Sequence, residues 1–211
     1  MDKGGPAFKV RSFARGMVAA GHGVTVLTAD PGFDTALQEI AHAVPSRWGF
    51  EAKEGGVKVI YLRTSARYRA QTWNPGVAEF WKERLSSFDL VHIYGLYDLI
   101  GPRIASACRC IGRPYVVEPM GMFQLIARSF LLKRMYHALL GKAMPRGATR
   151  FIATAEQERE DLLAGGIPDS QIVVRRNGID IPENFPPPGP FRNQRDKSKD
   201  LELVLFSVRP V

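Results

Sequence analysis

Short β-branched runs alternate with helix-patterned stretches along this chain, and that alternation admits few folds. The strand-like runs cover 24–28, 57–62, 89–94, 114–117, 151–154 and 172–174. Apolar spacing at Val10, Phe13, Ala14 and Met17 predicts a helix over 7–20, closed by Gly21-His22-Gly23. Pro75 opens a helix to about residue 87, and further helices are predicted over 99–111 and 124–144. The last of these carries a stripe of Leu132, Met135, Tyr136, Leu139 and Ala143. Thr154 and Gln157 have capping-box spacing for a helix that stops at Gly165-Gly166. The strand runs are almost continuously apolar, as in a sheet covered on both faces. Strands separated by helices pair in parallel through right-handed crossovers. The expected class is therefore α/β, a doubly wound parallel sheet.

The 211 residues are 45% hydrophobic and 24% charged, the balance of a chain able to bury a core. No apolar stretch has the length of a membrane span, and no signal-peptide pattern opens the chain. A cytoplasmic location is the default expectation. Cys108 and Cys110 share one predicted helix, where positions two apart point to different sides. They are not expected to pair, and no ligand spacing for a metal is present.

The net charge is +8. No acidic residue lies between Glu118 and Glu156, a stretch holding Arg128, Lys133, Arg134, Lys142, Arg146 and Arg150. Such a run either attracts phosphates or anionic lipid, or forms a solvated helix face. A second basic stretch, 63–73, holds Arg67, Tyr68, Arg69 and Trp73 and is expected to be an exposed loop. No nucleic-acid-binding module is recognisable, so no nucleic-acid partner is expected.

From Ile181 the character changes. Five prolines, Pro182, Pro186, Pro187, Pro188 and Pro190, precede a charged run over 192–200. This is expected to be a linker, followed by a new strand over 201–206. A lone strand cannot form a domain.

Six segments, in this order, resemble glycosyltransferase family 4, enzymes of the GT-B fold. They are Gly4-Gly5-Pro6, Gly21-His22-Gly23-Val24-Thr25-Val26, Asp89-Leu-Val-His-Ile-Tyr-Gly95, Gly112-Arg-Pro-Tyr-Val-Val-Glu-Pro-Met-Gly-Met122, Thr154-Ala-Glu-Gln-Glu158 and Val174-Arg-Arg-Asn-Gly-Ile-Asp180. Two positions depart from the family pattern: Tyr94 and Met120 stand where many relatives carry His. The resemblance implies an acceptor-side, Rossmann-like N-terminal domain over 1–180, a linker over 181–200, and the first strand of a donor-binding domain over 201–211. It also implies a leading strand ahead of Gly4. On that resemblance the chain reads as a fragment, truncated at both ends and inactive by itself.

The implied function is transfer of a sugar from a nucleotide-sugar donor to a glycan or lipid-linked acceptor, with retention, in polysaccharide or glycolipid synthesis. The nucleotide-sugar is a co-substrate; no cofactor and no metal are expected. The donor- and acceptor-binding candidates are Gly4, Gly5, Pro6, Glu118, Met120, Gly121, Glu156, Asn177, Gly178 and Arg209, with no catalytic residue assigned. Glu118, Met120 and Gly121 lie past the end of a parallel strand, where ligands of open α/β sheets gather. Gly4 and Gly5 permit close backbone approach to a phosphate or sugar, and Arg209 suits a diphosphate. The basic helix over 124–146 suggests an anionic membrane surface as a partner, placing the protein at the inner face of the membrane. The alternative is a non-catalytic, glycosyltransferase-like binding subunit.

Overall fold

The computed structural model describes residues 5–30, 43–68, 71–96, 98–123, 144–145 and 147–178, with backbone only at Gly5 and Pro6. The chain divides into two units, Met1–Gly178 and Ile179–Val211. Gly4, the expected helix over 124–144 except its last residue, the linker, the strand over 201–206 and Arg209 lie outside the described residues.

Helix α1 spans Gly5–Ala19. Gly5 and Pro6 thus belong to its first turn, ahead of the helix start expected at residue 7. Proline suits that turn because its missing N–H would have no intrahelical acceptor. Ala14 is buried, and Val10, Phe13 and Met17 are half-buried along the predicted apolar face. Gly21, at φ 89°, ends the helix by allowing the left-handed turn in which His22 N–H reaches Met17 O.

The first sheet has the order β1-β4-β3-β2, from β1 (Thr25–Ala29), β2 (Val44–Ser46), β3 (Gly49–Glu54) and β4 (Val57–Leu62). β1 and β4 run parallel, from Thr25 opposite Lys58 to Ala29 opposite Leu62. β3 is antiparallel to both β4 and β2. The expected parallel sheet is therefore mixed here. The cause is Gly55-Gly56, which makes a two-residue hairpin turn with both φ values positive, at 54° and 83°. Gly49 is equally specific, since a Cβ there would lie 2.2 Å from Tyr61 O. The strand admits only glycine at that crossing point.

The stretch expected as an exposed loop is a hairpin, β5 (Ala66–Tyr68) with β6 (Gln71–Trp73). Its base is locked by Asn74, which is 1% exposed. The Asn74 side-chain amide donates to Leu62 O, Arg63 O and Thr64 Oγ1 and accepts from Thr72 Oγ1. Three acceptors, two of them in buried bonds, thus converge on one side chain, a closed polar network of the kind that specifies a single conformation.

Helix α2 (Val77–Arg84) runs into a 3-10 turn, Leu85–Ser87. There follow β7 (Val91–Tyr94), α3 (Ile100–Cys110), β8 (Tyr115–Glu118), β9 (Arg150–Ala153), α4 (Glu156–Ala164) and β10 (Ile172–Val174). These four strands form a wholly parallel sheet in the order β10-β9-β8-β7. Its core joins Ile93, Ile104, Val117, Phe151 and Leu162 to Ile60, Leu62, Val77, Phe80 and Leu85. Tyr115, 1% exposed, satisfies its hydroxyl by donating to Met144 O at 2.8 Å. Cys108 is buried and Cys110 exposed, both as free thiols. Burial pushes the Cys108 thiol up to about 11, which leaves it unreactive.

Replacing Asn74 by alanine should take a donor from Thr64 Oγ1 and Arg63 O and release the base of the hairpin. A loss of about 2–3 kcal/mol in chemical denaturation is expected. Asn74→Asp should lose more, because it sets a carboxylate against carbonyl oxygens. A loss below about 0.5 kcal/mol in either variant would mean that the hairpin is held some other way.

Candidate functional site

Alternation along β7 and β8 decides what gathers at their C-terminal ends. Ile93 and Val117 face the core, so His92, Tyr94 and Glu118 share the opposite face. Tyr94 lies opposite Glu118 in the register. The His92 and Tyr94 rings stack at 4.0 Å, and Phe13 of α1 meets both edge-on, at 5.6 Å and 6.5 Å. Helix α1 also delivers Lys9, whose ammonium is ion-paired with Glu118. From the end of β10, Arg175 Nη2 reaches the other Glu118 oxygen at 2.6 Å, while its guanidinium carbon lies 4.2 Å from the Phe13 ring centre.

Glu118 is completely buried. Burial alone would raise its carboxyl pKa, but His92, Lys9 and Arg175 outweigh that and hold it below its ordinary value. It is an anion at neutral pH whose lone pairs are committed to cations. It orients Lys9 and Arg175 rather than shuttling protons. Two further neighbours adjoin it. His92 Nε2 lies 3.1 Å from Glu118 Oε2, and the Tyr94 phenol adjoins Arg175. Burial, followed by the Glu118 charge, pushes the Tyr94 phenol far up, so Tyr94 stays a neutral donor.

Beyond β8 the chain makes a tight turn in which Met122 N–H donates to Pro119 O at 3.2 Å. Both central residues have positive φ, Met120 at 58° and Gly121 at 75°, the pattern of a type I′ turn. Glycine takes this conformation freely, whereas methionine is strained in it. Met120 is the only non-glycine residue with positive φ among the described residues. Such strain persists only where the surroundings impose it.

The imposing group is Glu158, 4% exposed in the first turn of α4. Its Oε1 accepts from Gly121 N–H at 2.6 Å. Its Oε2 accepts from Thr154 N–H at 2.7 Å and Thr154 Oγ1 at 2.8 Å. The helix start therefore differs from the expected capping box. Thr154 pairs with the residue four along, and Gln157 instead reaches Asp161. The reason is direction: Glu158 points inward to the strand ends, while Gln157 is exposed.

The candidate residues thus separate. Glu118, Met120 and Gly121 lie together at the end of β8. Gly5 and Pro6 begin the helix that carries Lys9 and Phe13. Glu156 is exposed in the first turn of α4 and bonded to Arg159 at 2.6 Å, and Arg159 also holds Asp169. Asn177 and Gly178 are exposed just after Arg175. Sequence reasoning passed over Lys9, Arg175 and Glu158. For Glu158 the available signal was a second carboxylate in the first turn of a helix after Thr154.

Two outcomes follow. The Glu118 pKa lies below the ordinary 4.5 when folded. Its contribution to stability is therefore complete above that pH and is lost as pH falls through the folded-state value. Glu118→Gln should cost about 3 kcal/mol at neutral pH and flatten the acid limb of a stability–pH curve. An unchanged acid limb would show that Glu118 is not the group that titrates. Met120→Asn should stabilise by about 1 kcal/mol, because asparagine tolerates positive φ; a lower denaturation midpoint would contradict the assignment of strain.

Set beside known proteins, residues 4–178 match the glycosyl transferase 4-like domain. No curated protein sequence matches the chain. The matched span contains every strand described above, the Glu118 cluster and the Met120–Gly121 turn. The chain belongs to the glycosyl transferase 4-like family.

Proposed function

We propose that this chain provides the acceptor-side domain of a retaining glycosyltransferase. The donor is a nucleotide-sugar, and the acceptor a glycan or lipid-linked saccharide of polysaccharide or glycolipid synthesis. The observation that carries the reading is the chemistry at the ends of β7 and β8. Two cations are held in place by a buried carboxylate, beside a phenol and an imidazole. Ligands of open α/β sheets collect at such strand ends.

Each residue has a task in this proposal. Lys9 and Arg175 supply positive charge to an anionic group of the ligand through charge-assisted hydrogen bonds. Glu118 keeps both cations oriented before the ligand arrives, so little reorganisation is needed on binding. Tyr94 donates to a hydroxyl or phosphate oxygen. Glu158 fixes the turn so that the Gly121 backbone can approach the sugar closely. None of these groups is a nucleophile or a free general base. The domain's contribution is positioning and electrostatics, and the nucleotide-sugar serves as co-substrate with no separate cofactor.

A second reading, a non-catalytic subunit of glycosyltransferase type, draws on Met120 and Tyr94. Methionine cannot donate the strong hydrogen bond that histidine supplies.

The gene product should be incubated with labelled uridine- and guanosine-diphosphate sugars and a membrane lipid extract. Label is expected in the lipid or glycan fraction with its anomeric configuration retained, and Arg175→Ala should lower transfer at least tenfold, about 1.4 kcal/mol in barrier. Inverted product would overturn the retaining mechanism. Nucleotide-sugars left intact, alongside capture of a second transferase, would establish the subunit reading instead.

A further inference from the structure

The hairpin β5–β6 carries a surface that the glycosyltransferase reading does not use. Ala66 lies opposite Trp73, Arg67 opposite Thr72, and Tyr68 opposite Gln71. Residues directly opposite in an antiparallel pair share a face. One face is therefore Arg67 with Thr72, and it is turned to the protein. Thr72 is buried against Asn74, and Arg67 Nη2 donates to Asp30 O at 3.1 Å. The other face is Ala66, Tyr68, Gln71 and Trp73, and it is turned outward. Tyr68 is 63% exposed and Trp73 47% exposed.

Along the chain, the hairpin and its flanks carry only basic charge. No acidic residue lies between Glu54 and Glu79 in the sequence. Arg63 at the foot of the hairpin is exposed. From the neighbouring helix α3, Arg103 sets its guanidinium 3.8 Å from the centre of the Trp73 ring and bonds to Asn74 O at 3.4 Å. The Asn74 network thus holds both the hairpin and its flanking arginine.

Tryptophan and tyrosine at the outer surface beside arginine match the interface of an anionic bilayer. There the amphipathic rings sit among head groups, and cations meet lipid phosphates. The Arg103 stack counts against a nucleic acid, because it already occupies one face of the indole on which a base would lie. No described helix is long and apolar enough to cross a membrane.

We propose that the outward face of the β5–β6 hairpin, Tyr68 and Trp73 flanked by Arg103, docks the protein on an anionic lipid surface. The proposal does not depend on the transferase chemistry.

The test is co-sedimentation of the full chain with phosphatidylcholine vesicles, with and without phosphatidylglycerol. Binding is expected only with the anionic lipid and should weaken with added salt. Tyr68→Ala with Trp73→Ala should reduce it about tenfold. Trp73→Phe, which keeps the ring packing, is the check should the double variant not fold. In wild-type protein, brominated lipid should quench tryptophan emission, and Trp73→Phe should remove most of that quenching. Three results would overturn the proposal. One is indifference to phosphatidylglycerol. Another is full binding by the double variant, with loss instead on removing Lys133 and Arg134. The third is tight single-stranded oligonucleotide binding through Trp73 without vesicle binding.

Discussion

The completely buried carboxylate of Glu118 organises one end of the parallel sheet. It sits at the end of β8, with α1 on one side and the end of β10 on the other, and it draws a lysine from the first and an arginine from the second. Removing a charge from water is costly unless partners replace the lost hydration. Here the partners come from segments distant in sequence, so the ion pairs form only when α1 and both strands have docked. The same carboxylate explains why polar His92 and Tyr94 are tolerated within an otherwise apolar strand. Their face of β7 is the face on which the charges meet, and Phe13 covers the remaining ring surface.

Glu158 has a complementary role at the neighbouring loop. Its two oxygens take three donors from two loops, tying the turn after β8 to the start of α4. A helix N-terminus favours negative charge, so the position suits a carboxylate before any tertiary contact forms. The tertiary contact then uses that carboxylate to hold Met120 in a conformation it would not choose. Two buried glutamates thus fix the strand ends from different sides, one through cations and the other through backbone N–H groups. Family membership is consistent with this concentration of polar structure at one edge of the sheet, where loops of α/β domains carry their function.

Much of the fold was legible because its signals are local. The helix over 7–20 and the strand over 57–62 follow from apolar period and β-branching, and both appear within about two residues. β2 and β3 escaped notice because Pro45, Glu51, Lys53 and Glu54 break an apolar pattern. Pro45 lies on the edge strand and Lys53 and Glu54 are exposed at the end of β3, where such residues are tolerated and the pairing partner supplies the stability. The hairpin β5–β6 escaped for a related reason. All of β5 is exposed, and the hairpin persists through Asn74, whose hydrogen bonds have no sequence signature.

The sequence by itself determined the alternation of elements, the run of residues that ends β8 and the gathering of Glu118, Met120 and Gly121 at the end of a parallel strand. Each follows from short-range preference: period, branching, glycine at turns. Only the tertiary structure decided that Glu158 rather than Gln157 faces inward, that Lys9 and Arg175 meet on one carboxylate, and that Tyr68 and Trp73 share an outward face. Those outcomes depend on which segments pack together and on burial, which turns an ordinary charge into one that must find a partner. A pattern of neighbours along the chain carries no record of that requirement.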